Sequence, residues 1–311
     1  MRAMTRSFQL TDALRLRVRA QGESGVRWIR GLDECVSSLE RDWQIRVGES
    51  LAGGSESLVL QATCADGALA IVKVGLPGSA DLAQEARVYR IARGRGYATL
   101  LAYDASRNAL LLERLGRPIA ELGLPVRAQL EQICATLRIA WIPLPGASGL
   151  MTGAEKARWL ARFIVETAAA LTNACHSRVI DRALLFADAR ERAHAPANCV
   201  LVHGDCHEYN TLSRVDGASG YKFVDPDGLF AEPAYDLGIL MRGWNDEMLA
   251  GDALALGRAR CVGLSGLTGV DEEPIWQWGF IERVSTGLLM TQLGMTDGRV
   301  TLEIAERWSP Q

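Results

Sequence analysis

Asp205, Asn210 and Asp225 stand within about twenty residues of one another. Asp205 follows the apolar run Cys199-Val200-Leu201-Val202 and the tight turn His203-Gly204. Asp225 ends a second apolar run, Tyr221-Lys222-Phe223-Val224. Both carboxylates therefore sit at strand ends, with an amide between them. Phosphoryl transfer from a nucleotide needs this set: one carboxylate to position the acceptor hydroxyl and take its proton, and an Asn with a second Asp to hold Mg²⁺. Asp205 is the candidate base; Asn210 and Asp225 are the candidate metal ligands. A carboxylate with an ordinary pKa of about 4 is a weak base, so positioning counts for more than proton affinity.

Lys73 closes the apolar strand Ala70-Ile71-Val72-Lys73-Val74, where a lone ammonium is costly unless paired. Glu85 follows twelve residues later, on a helical pattern that it shares with Leu82 and Tyr89. Together they match a strand Lys that grips nucleotide phosphates and a helix Glu that orients it. Gly48-Glu-Ser-Leu-Ala-Gly-Gly-Ser55 lies between two strands ahead of Lys73. Glycines let backbone N–H groups approach phosphate closely, which makes Ser50, Gly53, Gly54 and Ser55 candidate phosphate contacts.

A metal-hydrolase reading of His203 and His207, four residues apart around Asp205 and Cys206, is weaker. The chain has four His, and His176 and His194 lack ligand-like neighbours. His203 and His207 are expected to shape the loop by hydrogen bonding.

The elements that position these residues follow from pattern. One or two helices are expected over 11–42. Strands are expected at Trp43–Val47, Ser57–Cys64, Ala68–Val74, Leu100–Tyr103 and Ala109–Glu113, with Ala65-Asp66-Gly67 as a hairpin turn. A helix is expected over Ser79–Arg93, with Ser79 as N-cap and Asp81 in the first turn. Beyond residue 116, helices are expected over 126–140, 154–176, 180–192, 234–262 and 272–292, interrupted by the strand-turn-strand segment 199–225. The fold class is thus α+β: a small antiparallel sheet with one key helix, then a larger, mainly helical lobe, a two-lobe layout that resembles the protein-kinase-like fold. The lobes are expected at 1–116, nucleotide-binding with a helical extension over 1–42, and at 117–311, catalytic and substrate-binding.

Composition narrows the class. The apolar fraction of 48% and charged fraction of 23% are ordinary for a globular chain. Net charge −3 argues against a nucleic-acid partner. No apolar run is long enough for a membrane span, and no signal peptide is expected at the start. Seven scattered Cys without a CxxC pair suit reduced thiols in a cytoplasmic protein. Of 34 basic residues only Lys73, Lys156 and Lys222 are Lys. Residues 1–116 carry net +3 and the remainder net −6, which suits a cationic substrate for the second lobe.

The pattern HGDxHxxN, met at His203, Gly204, Asp205, His207 and Asn210, resembles the aminoglycoside phosphotransferase family, small-molecule kinases related to protein kinases. That resemblance implies ATP and Mg²⁺. It makes Leu110-Leu-Leu-Glu-Arg-Leu-Gly116 the hinge whose backbone meets the nucleobase, with Glu113 and Leu115 named for that contact. It makes Asp236, in Glu232-Pro-Ala-Tyr-Asp236, a brace for the catalytic loop. The stretch 224–236 resembles the streptomycin 6-phosphotransferase and hydroxyurea phosphotransferase branch, with Ala231 where that branch has a Gly. The resemblance implies transfer of the ATP γ-phosphoryl group to a hydroxyl of an aminocyclitol antibiotic, foremost streptomycin. Streptomycin carries guanidinium groups, so carboxylates such as Asp227 and Glu232 are substrate candidates, and Trp244 is a candidate pocket residue. The alternatives are a kinase of another small hydroxylated metabolite or of hydroxyurea, and a non-catalytic nucleotide-binding protein on the same fold.

Overall fold

The computed structural model describes residues 6, 8–80 and 82–309. The chain divides into two compact units, Met1–Gly116 and Arg117–Gln311.

The first unit begins with helices α1 (Asp12–Ala20) and α2 (Glu23–Trp43). Thr11 caps α1, its hydroxyl accepting from the Leu14 N–H at 3.2 Å. Strands β1 (Ile45–Ser50), β2 (Ser57–Cys64), β3 (Leu69–Gly75), β4 (Leu100–Asp104) and β5 (Ala109–Glu113) form an antiparallel sheet in the order β1-β2-β3-β5-β4. Alternation along β3 turns Ala70, Val72 and Val74 toward one face, where they join Leu14, Val18, Leu32, Val36 and Leu39 of α1 and α2 in a core. The same alternation puts Lys73 on the opposite face.

Helix α3 spans Leu82–Ala92, shorter than the expected Ser79–Arg93. Ser79 is not its cap: it lies in a turn and accepts from Gln21 Nε2 at 2.9 Å. The capping group comes from the β4–β5 turn, where Asn108 Oδ1 accepts from the Leu82 N–H at 3.1 Å and Asn108 Nδ2 donates to the Ala80 carbonyl at 2.7 Å. Asp81 lies outside the described residues.

The second unit contains α4 (Val126–Ala140), β6 (Ile142–Pro143), β7 (Met151–Thr152), α5 (Gly153–Ala170), α6 (Ser177–Arg192), β8 (Val200–Val202), β9 (Thr211–Ser213), β10 (Tyr221–Phe223) and β11 (Leu229–Ala231). Then come α7 (Ala234–Leu240), α8 (Asn245–Leu249), α9 (Ala253–Thr268), α10 (Glu272–Gln292) and α11 (Asp297–Arg307). A small mixed sheet runs β6-β8-β11-β7, and β9 pairs antiparallel with β10. Helix α10 is buried on nearly all sides, which makes it the core helix of this unit.

Two expected helices are cut differently. The segment 154–176 ends as helix at Ala170. The segment 234–262 is not one helix: α7 stops at Leu240, Trp244 takes a left-handed φ of 54°, and Asp252 caps a fresh start for α9. Close packing governs the first break. A Cβ on Gly238 would lie 2.6 Å from Trp278 Cβ, and one on Gly279 would lie 2.5 Å from Met241 Cβ. Helices α7 and α10 thus meet at backbone distance, which brings the turn at 241–244 against Glu282 and Arg283.

Candidate active site

In the first unit Lys73 Nζ donates to Glu85 Oε2 at 2.7 Å. Both are buried, at 8% and 6% exposure. The Tyr89 hydroxyl donates to Glu85 Oε1 at 3.1 Å, so the carboxylate is fixed from two sides. The glycine-rich loop joins β1 to β2. Gly53 and Gly54 take φ of +124° and +79°, and Ser55 is exposed. Ser50 ends β1, and its Oγ accepts from the Gln9 N–H at 3.1 Å. Glu113 ends β5. Its carboxylate accepts from the Thr99 N–H at 2.7 Å and the Thr99 hydroxyl at 2.9 Å, so its side chain is used within the sheet. Leu115 is buried.

In the second unit the loop after β8 is built around His203 and Asp236, both fully buried. His203 Nε2 bonds the Val224 carbonyl at 2.9 Å, and its Nδ1 accepts from the Asp205 N–H at 3.0 Å. One neutral imidazole therefore ties the loop that bears Asp205 to the strand end that bears Asp225. Burial pushes the His203 pKa down to about 4 against the pull of Asp205, so the ring stays uncharged. With both nitrogens engaged, it is not offered to a metal.

Asp236, in the first turn of α7, receives the Gly204 N–H at 2.8 Å on one oxygen. The other oxygen receives the His203 N–H at 2.9 Å and Trp141 Nε1 at 3.0 Å. Burial pushes its pKa up to about 6, while these N–H donors favour the anion. Gly204 has φ +91°, and a Cβ there would lie 2.7 Å from Asp227 Cβ. Only glycine passes this point without strain.

Asp205 projects from this frame. Arg242 Nη2 bonds its Oδ1, and His207 Nε2 lies 3.4 Å from its Oδ2. Burial would raise the Asp205 pKa, but the Arg242 charge and the His207 hydrogen bond outweigh it and hold the carboxyl well below the usual range. Asn210 Nδ2 donates to the Asp205 carbonyl at 2.9 Å, and the Val224 N–H donates to the Asn210 carbonyl at 3.0 Å. Asn210 is therefore laced to Asp205 on one side and to the residue before Asp225 on the other. Asp225 itself has a left-handed φ of 55°.

Among the substrate candidates, Asp227 is exposed beside Gly204. Glu232 is not free: Arg190 Nη1 reaches its two oxygens at 3.2 and 3.4 Å, and Trp278 Nε1 donates at 2.9 Å. Trp244 has the Arg260 guanidinium over its ring at 5.3 Å, and Arg260 Nη1 also donates to the Gly243 carbonyl at 3.0 Å.

Arg242 is the residue that sequence reasoning misses. Its guanidinium joins Asp205 to Glu282, the latter at 3.3 Å, and Glu282 also accepts from the Tyr235 hydroxyl at 2.5 Å. The available signal was Arg242-Gly243 interrupting an otherwise helical pattern. Arg283 fixes that turn, donating to the Met241 carbonyl at 2.6 Å and to Asn245 Oδ1 at 2.7 Å.

Comparison with known proteins places this frame. Residues 42–293 match the aminoglycoside/hydroxyurea antibiotic resistance kinase family. A streptomycin 6-kinase of Streptomyces glaucescens is 26% identical over 263 residues, covering 84% of each chain. A hydroxyurea phosphotransferase of Kitasatospora aureofaciens is 29% identical over 278 residues, 86% of this chain and 75% of that one. Among solved structures, a choline kinase of Streptococcus pneumoniae superposes with a TM-score of 0.59 at 13% identity, covering 88% of this chain and 95% of the other. A spectinomycin phosphotransferase in complex with ADP and spectinomycin superposes with a TM-score of 0.53 at 12% identity, covering 88% and 92%. These structures share the protein-kinase-like fold of small-molecule kinases. The chain belongs to the aminoglycoside/hydroxyurea antibiotic resistance kinase family and is a phosphotransferase with an alcohol group as acceptor.

Proposed function

We propose that this chain transfers the γ-phosphoryl group of ATP to a hydroxyl of an aminoglycoside or aminocyclitol antibiotic, foremost the 6-hydroxyl of streptomycin. The observation that carries the reading is the setting of Asp205: a carboxylate held anionic by Arg242, with Asn210 laced to its main chain. The likeness to a streptomycin 6-kinase supports the acceptor. The likeness to a hydroxyurea phosphotransferase favours hydroxyurea as the second reading.

In this mechanism Asp205 accepts a hydrogen bond from the acceptor hydroxyl and orients its oxygen for in-line attack. The acceptor oxygen bonds to the γ-phosphorus, the bond to the β–γ bridging oxygen breaks, and ADP leaves. The hydroxyl proton passes to Asp205 as the new bond forms. Because Asp205 is so weak a base, its contribution is alignment and charge more than proton affinity. Lys73, oriented by Glu85, offsets phosphate charge, and the loop of Ser50, Gly53, Gly54 and Ser55 offers N–H groups to phosphate. The backbone at Glu113 and Leu115 meets the base.

The donor set suits Mg²⁺. That ion keeps several waters and takes one or two protein oxygens besides phosphate. With Asn210 Nδ2 spent on the Asp205 carbonyl, Oδ1 is the atom left to serve as ligand, and Asp225 adds a carboxylate. Bound there, Mg²⁺ supplies neutralisation of phosphate charge. Asp227 and Trp244 are the residues we assign to the cationic acceptor. Glu232, committed to Arg190 and Trp278, acts in support of the fold. His207, beside Asp205, and His203 and Asp236 beneath it, hold the base in place.

Among the described residues no helix is long and apolar enough to cross a membrane. The cysteines at 35, 64, 134, 175, 199, 206 and 261 are free thiols. We place the reaction in the cytoplasm, where ATP is available and thiols stay reduced.

The test is product analysis. The purified protein is incubated with Mg·ATP and either streptomycin or hydroxyurea, and products are read by mass spectrometry and phosphorus NMR. Phosphate on the streptomycin 6-hydroxyl is the expected result. Phosphate on hydroxyurea alone would move the assignment to the second reading. An unmodified acceptor in both reactions would overturn the proposal.

A further inference from the structure

Residues Gln9–Gln21 lie ahead of the matched family segment 42–293, yet they are bonded to the nucleotide loop at several points. The Gln9 N–H donates to Ser50 Oγ at 3.1 Å. The Thr11 hydroxyl donates to the Gly54 carbonyl at 3.0 Å while accepting from the Leu14 N–H at 3.2 Å. Arg17 pairs with Glu56 at 3.0 Å, just past the loop. At the far end of α1, Gln21 Nε2 donates to the Pro77 carbonyl at 2.8 Å and to Ser79 Oγ at 2.9 Å. Those two residues lead from β3, which bears Lys73, into α3, which bears Glu85.

The anchoring is firm. Leu14 and Val18 are buried in the core beneath β2 and β3, and Phe8 and Leu10 pack against it. Helix α2 crosses close by at Gly25, where a Cβ would lie 2.1 Å from the Val18 carbonyl oxygen. The contacts at the other end fall on a loop whose Gly53 and Gly54 both have positive φ, a chain that closes only at an entropic cost. A rigid helix holding a glycine-rich loop from outside lowers that cost before a ligand arrives.

We propose that the segment Gln9–Gln21 is a positioning strap for the nucleotide: it pre-sets the glycine loop and the entry to α3, and so determines affinity for Mg·ATP without touching it. Thr11 is the central residue, because one hydroxyl both caps α1 and donates to Gly54. The inference rests on the nucleotide role proposed above for Ser50–Ser55.

Thr11→Gly and Thr11→Ser separate the two jobs of the hydroxyl. Glycine starts a helix nearly as well as Thr, so Thr11→Gly keeps α1 but removes the donor to Gly54. Thr11→Ser keeps both. Calorimetric titration with Mg·ATP, which needs no acceptor, should show dissociation constants about threefold to tenfold higher for Thr11→Gly, the effect of one net hydrogen bond. Thr11→Ser should match wild type. In kinetics the KM for Mg·ATP should rise alone, with kcat and the acceptor KM unchanged. Equal Mg·ATP affinity in wild type and Thr11→Gly would overturn the strap while leaving the nucleotide role intact. A uniform loss of kcat and both KM values with a lowered melting temperature would also overturn it, as a plain folding defect. Wild-type protein that does not bind Mg·ATP would overturn the nucleotide role itself, and the strap with it.

Discussion

Arg242 grips Asp205 and Glu282 with the two arms of one guanidinium. Burial would otherwise make the Asp205 anion costly; the Arg242 charge reverses the balance and keeps the carboxyl far below its usual pKa. The sign of the pH dependence follows. Asp205 is already ionised throughout the acid range, so kcat/KM of the wild type should show no acid limb from Asp205 between about pH 5 and 8. In Arg242→Met burial dominates, the Asp205 pKa rises, and an acid limb should enter that window. A loss in kcat of about tenfold or more is expected, since a positioned base is worth about 10²–10⁴. Arg242→Lys should not rescue it, because an ammonium lacks the fork that spans two carboxylates. Identical pH profiles for wild type and Arg242→Met would contradict this.

Gly204 is the narrowest point of the loop. Its φ of +91° and the 2.7 Å approach of an added Cβ to Asp227 Cβ both exclude a side chain. Gly204→Ala should destabilise the protein by more than about 1 kcal/mol, measured by denaturant titration. The loop can yield only by moving Asp227 or Asp205, so activity should fall further than stability. A variant of wild-type stability and rate would show the loop to be looser than described.

His203 makes stability depend on pH. Its folded pKa is about 4, below the value near 6.5 of an exposed His. Between those values the unfolded chain binds the proton and the folded chain does not, so stability rises with pH across that window. At about 1.4 kcal/mol per unit, this one ring removes about 3 kcal/mol as pH falls from 7 to 4. Comparing urea unfolding of wild type and His203→Gln at several pH values should isolate the term. Parallel pH curves for the two proteins would refute it.

The Lys73–Glu85 pair is buried, so removing one member takes a close opposite charge from a group held out of water. Glu85→Ala should cost about 3 kcal/mol of stability, within the usual range for a broken buried pair. Lys73→Met should cost less, because the Tyr89 hydroxyl still serves the carboxylate and the carboxyl can take a proton. The double variant should be more stable than Glu85→Ala alone. Additive losses in a denaturant-based double-mutant cycle would mean the two residues act independently.

Much of the fold is legible along the chain because its signals are local. Alternation and the Ala65-Asp66-Gly67 turn mark β2 and β3, and periodicity marks α4. Lys73 and Glu85 stand out because a charge at the end of an apolar strand needs a partner, and they meet at 2.7 Å. The less legible features depend on distant contacts. Helix α3 is capped by Asn108, twenty-six residues away, so the local Ser79 misleads. Arg242 looks like one more of many Arg in an apparent helix over 234–262. Its position follows from the close packing of α7 on α10 at Gly238 and Gly279, a contact between segments about forty residues apart. Strands β6, β7 and β11 span two or three residues each, too short for alternation to register. Glu232 sits in a family-like stretch, yet its carboxylate is taken by Arg190 of α6, forty-two residues away.

The central claim is that Asp205 directs phosphoryl transfer to a hydroxyl acceptor. The direct measurement is acceptor-dependent ADP release from Mg·ATP, for wild type and Asp205→Asn at matched folding by circular dichroism. The account predicts streptomycin-dependent release by the wild type, and a rate at least about a hundredfold lower in Asp205→Asn with Mg·ATP affinity retained. Equal acceptor-dependent rates in the two proteins would contradict it.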